Sequence, residues 1–229
     1  SNEEPNLLQS SIISTNNTAV ADNKIENFLT PEYLKNHFKQ QKRLKLGEAM
    51  ELIENSMILF PTDTDLKLVK GSLLSLLKQH EAAIDQFLQV LESIEDKDEV
   101  YFRIGLCYLN WPKPREAVDM FKKALEHNPE NESALVELAN ALDEIGKIEE
   151  SIPFYKQFID IDPFSFTAWY NLGIAYSKLK QYEKAVDAYE YSLAIEPTFG
   201  SSLFNLGNTF MNLNEYAKAE EAYRLCLQH

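Results

Sequence analysis

Cysteine, glycine and long apolar runs are all scarce in this sequence of 229 residues, which has two cysteines and seven glycines. Two cysteines, Cys107 and Cys226, are too few for a disulfide scaffold and fit a reducing compartment. No apolar run approaches the roughly 20 residues that a membrane-spanning helix needs, and the N-terminus lacks the basic and apolar segments of a signal peptide. We therefore expect a cytoplasmic protein that does not bind a membrane.

Positive charge is also scarce. The chain has 22 Lys and Arg residues against 36 Asp and Glu residues, so its formal net charge is -14. This charge would repel the phosphates of nucleic acids and of anionic membrane surfaces, and no run rich in Lys or Arg reverses it locally. Neither is expected as a partner, and the acidic surplus is interpreted as a solvated outer face.

Motifs that carry catalysis or bind metals are missing. The sequence has no phosphate-binding glycine loop, no nucleophile elbow and no pair of histidines at metal-ligand spacing. Its four histidines, His37, His80, His127 and His229, are far apart in the chain. We therefore expect no enzymatic activity, no cofactor and no metal site, and we expect both cysteines to be buried and inert.

The sequence does contain an internal repeat with a period of 34 residues. Similar residues return at this spacing in five separate series, which chance does not explain. The series are Gly71, Gly105, Ala139, Gly173 and Gly207; Ala83, Ala117, Ser151, Ala185 and Ala219; Phe87, Phe121, Tyr155, Tyr189 and Tyr223; Leu74, Tyr108, Leu142, Tyr176 and Phe210; and Pro129, Pro163 and Pro197.

Each period has the apolar spacing of two amphipathic helices. Trp169, Leu172 and Tyr176 share one helix face, and Ala185 and Tyr189 share another. The small residues allow the two helices to approach closely. The proline closes each unit because it cannot continue the second helix.

This pattern resembles the tetratricopeptide repeat family. The residues that carry the resemblance most completely belong to one repeat: Trp169, Leu172, Gly173, Tyr176, Ala185, Tyr189 and Pro197. The resemblance implies an all-α fold, namely a right-handed superhelical solenoid of antiparallel helix pairs.

The resemblance covers residues 30–229 and divides them into units. Five units follow the pattern, the last of them cut short: 64–97, 98–131, 132–165, 166–199 and 200–229. A degenerate unit at 30–63 keeps Ala49 and Pro61 in register but has His37 and Gln40 where small and aromatic residues belong. Residues 1–29 have no repeat signature and are interpreted as a tail or linker.

Two residues depart from the repeat pattern. Trp111 lies in the segment Asn-Trp-Pro-Lys-Pro, which replaces the usual glycine-containing turn between the two helices. It is expected either to fold back over a helix end or to serve a function on its stiff loop. Pro153 falls early in a second helix and is expected to kink that helix locally.

The resemblance also implies where a partner would bind. In this family the first helices line the concave side of the superhelix through positions 2, 5, 9 and 12 of each repeat, and position 6 here carries Asn171 and Asn205. The predicted peptide-binding residues are Phe102, Leu106, Asn140, Tyr170, Asn171, Ile174, Phe204, Asn205 and Asn208. Apolar members would contact partner side chains, and the asparagines would hold a peptide backbone. Asparagine at these positions is also common in repeats with no known ligand, so both interpretations stay open.

One familiar function of the family does not fit. Members that act as chaperone co-factors clamp a C-terminal carboxylate with three cations and two asparagines. The best matching set here keeps both asparagines but none of the cations: Val136, Asn140, Asn171, Ser201 and Asn205. A carboxylate in this groove would lose its solvation without gaining a charge-assisted hydrogen bond.

The sequence therefore predicts a protein-protein interaction scaffold that binds an extended or helical peptide segment in its concave groove. Two alternatives remain, a self-assembling structural array and the regulatory arm of a larger enzyme.

The two ends of the chain carry expectations of their own. The sequence stops within the last second helix, which leaves Leu225 and Cys226 without a following repeat, so we expect the native chain to continue or another chain to cover this end. Four apolar tail residues are expected to dock on the first repeat or in a groove of this molecule or a neighbour. They are Leu7, Leu8, Ile12 and Ile13. Homo-oligomers are accordingly expected to form through either end.

Overall fold

A computed structural model describes residues 46–228, which form eleven α-helices and contain no β-strand. The helices are α1 (Leu46–Leu59), α2 (Thr64–Leu76), α3 (His80–Leu91), α4 (Asp98–Asn110), α5 (Pro114–His127), α6 (Glu132–Glu144), α7 (Ile148–Ile161), α8 (Phe166–Lys178), α9 (Tyr182–Ile195), α10 (Gly200–Asn212) and α11 (Tyr216–Cys226).

The helices pack as a linear series of pairs. The first helices α2, α4, α6, α8 and α10 begin 34 residues apart. Each packs against the second helix that follows it, and each second helix up to α9 also packs against the next first helix. Helix α1 packs against α2. The predicted fold class, an all-α right-handed superhelical solenoid of antiparallel helix pairs, is confirmed.

Polar caps and left-handed residues set the helix ends. The side chains of Asp63, Asn131 and Ser165 accept hydrogen bonds from the backbone N–H three residues on, which starts α2, α6 and α8. The turns after four of the first helices contain a residue with positive φ, as a tight reversal of the chain requires. These residues are Lys78, Gly146, Lys180 and Asn214.

The turn after α4 is built differently, around Trp111. Its indole stacks on the ring of His80, the first residue of α3, with ring centroids 6.1 Å apart, and the Nζ atom of Lys113 lies 3.2 Å from the indole centroid. Trp111 therefore folds back over a helix end, as the first of the two interpretations expects. Its conformation is explained by packing within the chain.

The glycine series marks the closest approach of the paired helices. A Cβ atom built on Gly105 would lie 2.4 Å from a ring carbon of Phe121, and one on Gly173 would lie 2.6 Å from a ring carbon of Tyr189. Both rings are almost fully buried. The ring of the second helix therefore occupies the space that a side chain on the first helix would need, as predicted from the small-residue series.

Three smaller predictions concern the two cysteines and Pro153. Cys107 is buried, and burial raises the pKa of its thiol, so the thiol stays protonated. Cys226 was expected to be buried as well, but it is only half-buried, because no described helix packs beyond α11; its Sγ lies 3.4 Å from the carbonyl oxygen of Gly200. Helix α7 continues through Pro153, and the local kink expected there stays a prediction.

Several predictions concern residues that the structure does not describe. The tail 1–29 with its four apolar residues, and the part of the degenerate unit that contains His37 and Gln40, lie outside residues 46–228. None of the helices within 46–228 combines the length and apolar character that crossing a membrane requires.

Candidate partner-binding groove

The first helices of neighbouring repeats lie side by side and form one surface, which we call the groove. Hydrogen bonds connect them directly. Arg103 of α4 donates to the hydroxyl of Ser72 of α2 at 2.9 Å, and Asn205 of α10 donates to the hydroxyl of Tyr170 of α8 at 3.2 Å. Helices α4 and α6 also pack against each other. The groove is therefore a continuous surface on α2, α4, α6, α8 and α10.

All nine sequence-predicted binding residues lie on these first helices. None of them is fully buried, Asn140 is exposed, and Phe204 is 53% exposed. They are distributed over four helices: Phe102 and Leu106 on α4, Asn140 on α6, Tyr170, Asn171 and Ile174 on α8, and Phe204, Asn205 and Asn208 on α10.

The three aromatic members of this set are each supported by a ring of the second helix in the same repeat. Ring centroids are 5.8 Å apart for Phe102 and Phe121, 6.1 Å for Tyr170 and Tyr189, and 6.0 Å for Phe204 and Tyr223. Each of the three rings is supported by this contact and still partly exposed to solvent. The aromatics are therefore held in place before any partner binds.

Two of the predicted asparagines are held by tyrosines of the 34-residue series, which were not predicted as binding residues. The Tyr155 hydroxyl donates to Oδ1 of Asn140 at 2.8 Å, and the Tyr223 hydroxyl donates to Oδ1 of Asn208 at 2.8 Å. Asn205 is also engaged, because its Nδ2 donates to the Tyr170 hydroxyl. Among residues 46–228, no hydrogen bond from Nδ2 of Asn140 or Asn208 is found.

A cavity of about 310 Å³ brings three of the predicted residues together between α6 and α8. Asn140, Asn171 and Ile174 contribute to its wall. The remaining lining residues were not predicted: Asp143, Glu144, Tyr155 and Lys178.

Carboxylates give this cavity its electrostatic character. Asp143 accepts a hydrogen bond from the Ser151 hydroxyl at 2.6 Å, and the Nζ atom of Lys178 lies 3.5 Å from its other oxygen. Burial raises the pKa of Tyr155, and the charges of Asp143 and Glu137 raise it further. The Tyr155 hydroxyl therefore stays protonated and can donate to Asn140.

A second cavity, of about 360 Å³, lies away from the groove among α7, α8 and α9. Its wall includes a stacked pair, Trp169 and Tyr191, with centroids 4.5 Å apart. The Trp169 indole N–H donates to the carbonyl oxygen of Pro163 at 3.0 Å, so this ring is anchored by the turn before its helix. The sequence pattern predicted Trp169 as a packing residue and gave no sign of this cavity.

Within the described residues, no group of three or more His, Cys, Asp and Glu side chains is arranged to hold a metal ion. Among the histidines there, His127 stacks on the ring of Tyr101, with centroids 5.5 Å apart. His80 is engaged with Trp111. Both imidazoles therefore have a ring contact, and the buried Nδ1 of His80 has no hydrogen-bond partner among residues 46–228.

Known protein families and solved structures share the repeat architecture of this chain. Three family models described as the tetratricopeptide repeat match residues 113–173, 166–199 and 200–228, which together form a continuous stretch of about half the chain. No curated protein sequence matches the chain significantly.

Solved structures of similar architecture include several of the protein MamA. A crystal structure of MamA has a TM-score of 0.68 at 21% sequence identity, over 72% of this chain and 90% of that one. A MamA structure from Desulfovibrio magneticus RS-1, running from residue 41 to its end, has a TM-score of 0.64 at 20% identity, over 71% of this chain and 94% of that one. At such identities the likeness establishes the fold alone.

Proposed function

The chain belongs to the tetratricopeptide repeat family, and from this premise we propose that it is a protein-interaction scaffold that binds an extended or helical segment of a partner protein in the groove. One observation carries the proposal. The nine predicted residues form a series of partly exposed aromatic, aliphatic and amide side chains on the first helices from α4 to α10.

The apolar members would supply most of the binding free energy. Phe204 is the strongest candidate, because it is 53% exposed and its ring is already supported by Tyr223. A partner that covers this ring removes apolar surface from water. The ring loses little conformational freedom on binding, because Tyr223 already holds it in place. Tyr170 is a second anchor, although its contacts with Asn205 and Phe199 also make it part of the packing between α8 and α10.

The asparagines would hold the partner's main chain. An amide offers both a donor and an acceptor, and main-chain groups are the same in every sequence. Asn171 lines the cavity between α6 and α8, and its side chain makes no hydrogen bond within residues 46–228. It can therefore bind a peptide group without breaking an existing contact.

The proposal is tested with peptides selected from a display library of random dodecapeptides on the wild-type protein. Selected peptides are then titrated against Phe204→Ala, Asn171→Ala and a control, Tyr191→Ala, which removes an exposed ring of the second helix α9. Loss of the Phe204 anchor is expected to weaken binding by at least about 2 kcal/mol, roughly thirtyfold. Asn171→Ala is expected to weaken the binding of all selected peptides by much the same factor, whatever their sequence. Tyr191→Ala is expected to leave peptide binding unchanged.

Circular dichroism and thermal melts confirm that each variant is folded before binding is measured. The groove is excluded as the binding surface if the selected peptides keep their affinity for Phe204→Ala and Asn171→Ala but lose it for Tyr191→Ala. That result would place the partner at the cavity beside Trp169.

A further inference from the structure

Two tyrosine-asparagine pairs occur in the groove with the same geometry. Tyr155 reaches Asn140, and Tyr223 reaches Asn208, and in both pairs the hydroxyl lies 2.8 Å from Oδ1. The two residues of each pair are 15 positions apart, with the asparagine on the first helix and the tyrosine on the second. The pairs lie two repeats apart, with the one unit 166–199 between them.

Each pair fixes the orientation of its amide. A free asparagine side chain rotates between two arrangements, with either its oxygen or its nitrogen toward a ligand. In both pairs the structure has the hydroxyl donating to Oδ1, and Nδ2 of neither asparagine has a hydrogen-bond partner among residues 46–228. The Tyr155 phenol is held by packing, since its side chain is 2% exposed and lies in the core with Ala139, and the Tyr223 phenol is partly buried against the same core.

We propose, on the premise of the proposed function, that Tyr155 and Tyr223 are positioning residues of the groove. They hold Asn140 and Asn208 with Nδ2 free, so that each amide donates a hydrogen bond to a main-chain carbonyl of an extended bound segment. The groove therefore grips the backbone of its partner at two points, two repeats apart.

The charge of the site favours a neutral carbonyl over a carboxylate as the acceptor. Asn140 lines the same cavity as Asp143 and Glu144, and the cavity holds one cation, Lys178, which Asp143 already engages. The chain as a whole has a formal charge of -14. An Asp or Glu side chain of a partner would be repelled here, whereas a peptide carbonyl has no net charge.

The repeat between the two pairs provides an internal control. Tyr189 occupies the same position as Tyr155 and Tyr223, but the residue 15 positions earlier is Ile174. The Tyr189 hydroxyl lies 3.5 Å from the Ser177 hydroxyl instead. In the earlier repeats the position is Phe87 and Phe121. Phenylalanine is thus accepted at this site by the fold, and a Tyr→Phe substitution removes only the hydroxyl.

The test compares Tyr155→Phe and Tyr223→Phe with Tyr189→Phe in the full chain. In ¹⁵N-labelled protein without ligand, the side-chain amide resonances of Asn140 and Asn208 are expected to shift in Tyr155→Phe and Tyr223→Phe respectively, and to stay in place in Tyr189→Phe. Peptides from the random library that depend on Phe204 are expected to bind each of the first two variants about two- to tenfold more weakly, which corresponds to the loss of one hydrogen bond. Tyr189→Phe is expected to bind them as the wild type does.

The two proposals fail in different ways. If no selected peptide depends on Phe204 or Asn171, the groove itself is excluded. If peptides depend on those residues but bind Tyr155→Phe and Tyr189→Phe equally well, the groove stands and the positioning role is overturned. Unchanged amide resonances in Tyr155→Phe and Tyr223→Phe would overturn the positioning role without any ligand.

Discussion

Residues 64–131 and residues 132–228 use the same position of the second helix for different rings. In the first region the ring is that of Phe87 or Phe121, and in the second it is that of Tyr155, Tyr189 or Tyr223. Gly71, Gly105, Gly173 and Gly207 would each place a Cβ within 2.6 Å of such a ring. Packing therefore needs only the ring, and the hydroxyl is an addition that reaches the groove. We call the two regions the phenylalanine half and the tyrosine half.

The contact between the first and last residues of a repeat, which we call the joint, differs between the units 98–131 and 166–199. In the unit 98–131, the first and last residues form a polar contact, in which Asn131 donates to the Asp98 carboxylate at 3.0 Å. In the unit 166–199, the same two positions are Phe166 and Phe199, whose rings meet edge to face with centroids 4.9 Å apart. The same repeat architecture thus accommodates a polar or an aromatic contact at these two positions. Only the polar contact is expected to depend on pH.

The largest expected effect tests whether the rings of the two halves have the same role in packing. Phe121→Ala and Tyr155→Ala should each lower the free energy of unfolding by about 3–5 kcal/mol, because both remove a buried ring and leave a cavity. Urea denaturation followed by circular dichroism measures both losses. A much smaller loss for Tyr155→Ala would mean that the tyrosine half does not depend on its ring for packing.

A smaller effect is expected where the small residue on the first helix is changed. Gly105→Ala would place a methyl group 2.4 Å from the ring of the buried Phe121. Overpacking costs about 1–3 kcal/mol, and the better helix propensity of alanine returns up to about 1 kcal/mol, so a net loss of about 1–2 kcal/mol is expected. Thermal and urea denaturation would measure it.

The matched substitution in the tyrosine half is Ala139→Gly, since alanine already occupies this position beside Tyr155. It should cost about 1 kcal/mol, the difference in helix propensity. A Gly105→Ala variant more stable than the wild type would show that the Phe121 ring moves aside freely.

Transferring the hydroxyl tests whether the tyrosine-asparagine pair can be moved between halves. Phe121→Tyr should cost about 1–2 kcal/mol, because the new hydroxyl faces Leu106, which offers no hydrogen-bond acceptor in its side chain. Adding Leu106→Asn recreates the pair found in the units 132–165 and 200–228. A double-mutant cycle in urea should show the two changes to be coupled favourably by about 1 kcal/mol. Strictly additive changes would show that the pair depends on its own repeat.

The repeat fold could be predicted from the sequence almost completely. The period of 34 residues places Gly105 opposite Phe121 and Gly173 opposite Tyr189, and close approach of two helices is what such a pairing requires. The burial of Cys107 followed from the same period. The partial exposure of Cys226 did not follow from the period, because it depends on what packs against α11.

The groove could be predicted in part. The sequence placed Asn140 and Asn208 on first helices, where the structure has them, but it did not predict their hydrogen bonds to Tyr155 and Tyr223, which belong to a series that packing alone explains. Co-occurrence of tyrosine with asparagine 15 positions earlier is a signal that the sequence does contain. The cavity beside Trp169 carries no such signal, because it depends on the angles among three helices.

The smallest expected effect separates the polar joint from the aromatic one by pH. Partial burial would raise the pKa of Asp98, but hydrogen bonds from Asn131 and Asn128 and from the backbone outweigh it, so its pKa lies below the ordinary value. A carboxylate with a lowered pKa in the folded state stabilises the fold at pH values above its unfolded pKa. That contribution is lost as the pH falls through the lower, folded pKa. The joint at Asp98 should therefore weaken below about pH 4, which is close to the ordinary pKa of an Asp side chain in an unfolded chain. The contact of Phe166 with Phe199 has no group that titrates.

The Asp98 carboxyl carbon resonance, followed by NMR through an acid titration, measures this pKa directly. Asn131→Ala removes one of the two side-chain donors and should raise the pKa toward its ordinary value. Phe199→Ala, as the matched change in the aromatic joint, should leave the pKa of Asp98 where it is in the wild type. An unchanged titration in Asn131→Ala would mean that the side-chain hydrogen bond contributes nothing to the charge state of Asp98. The polar and aromatic joints would then be equally insensitive to acid, and the difference between the halves would be confined to the tyrosine hydroxyls.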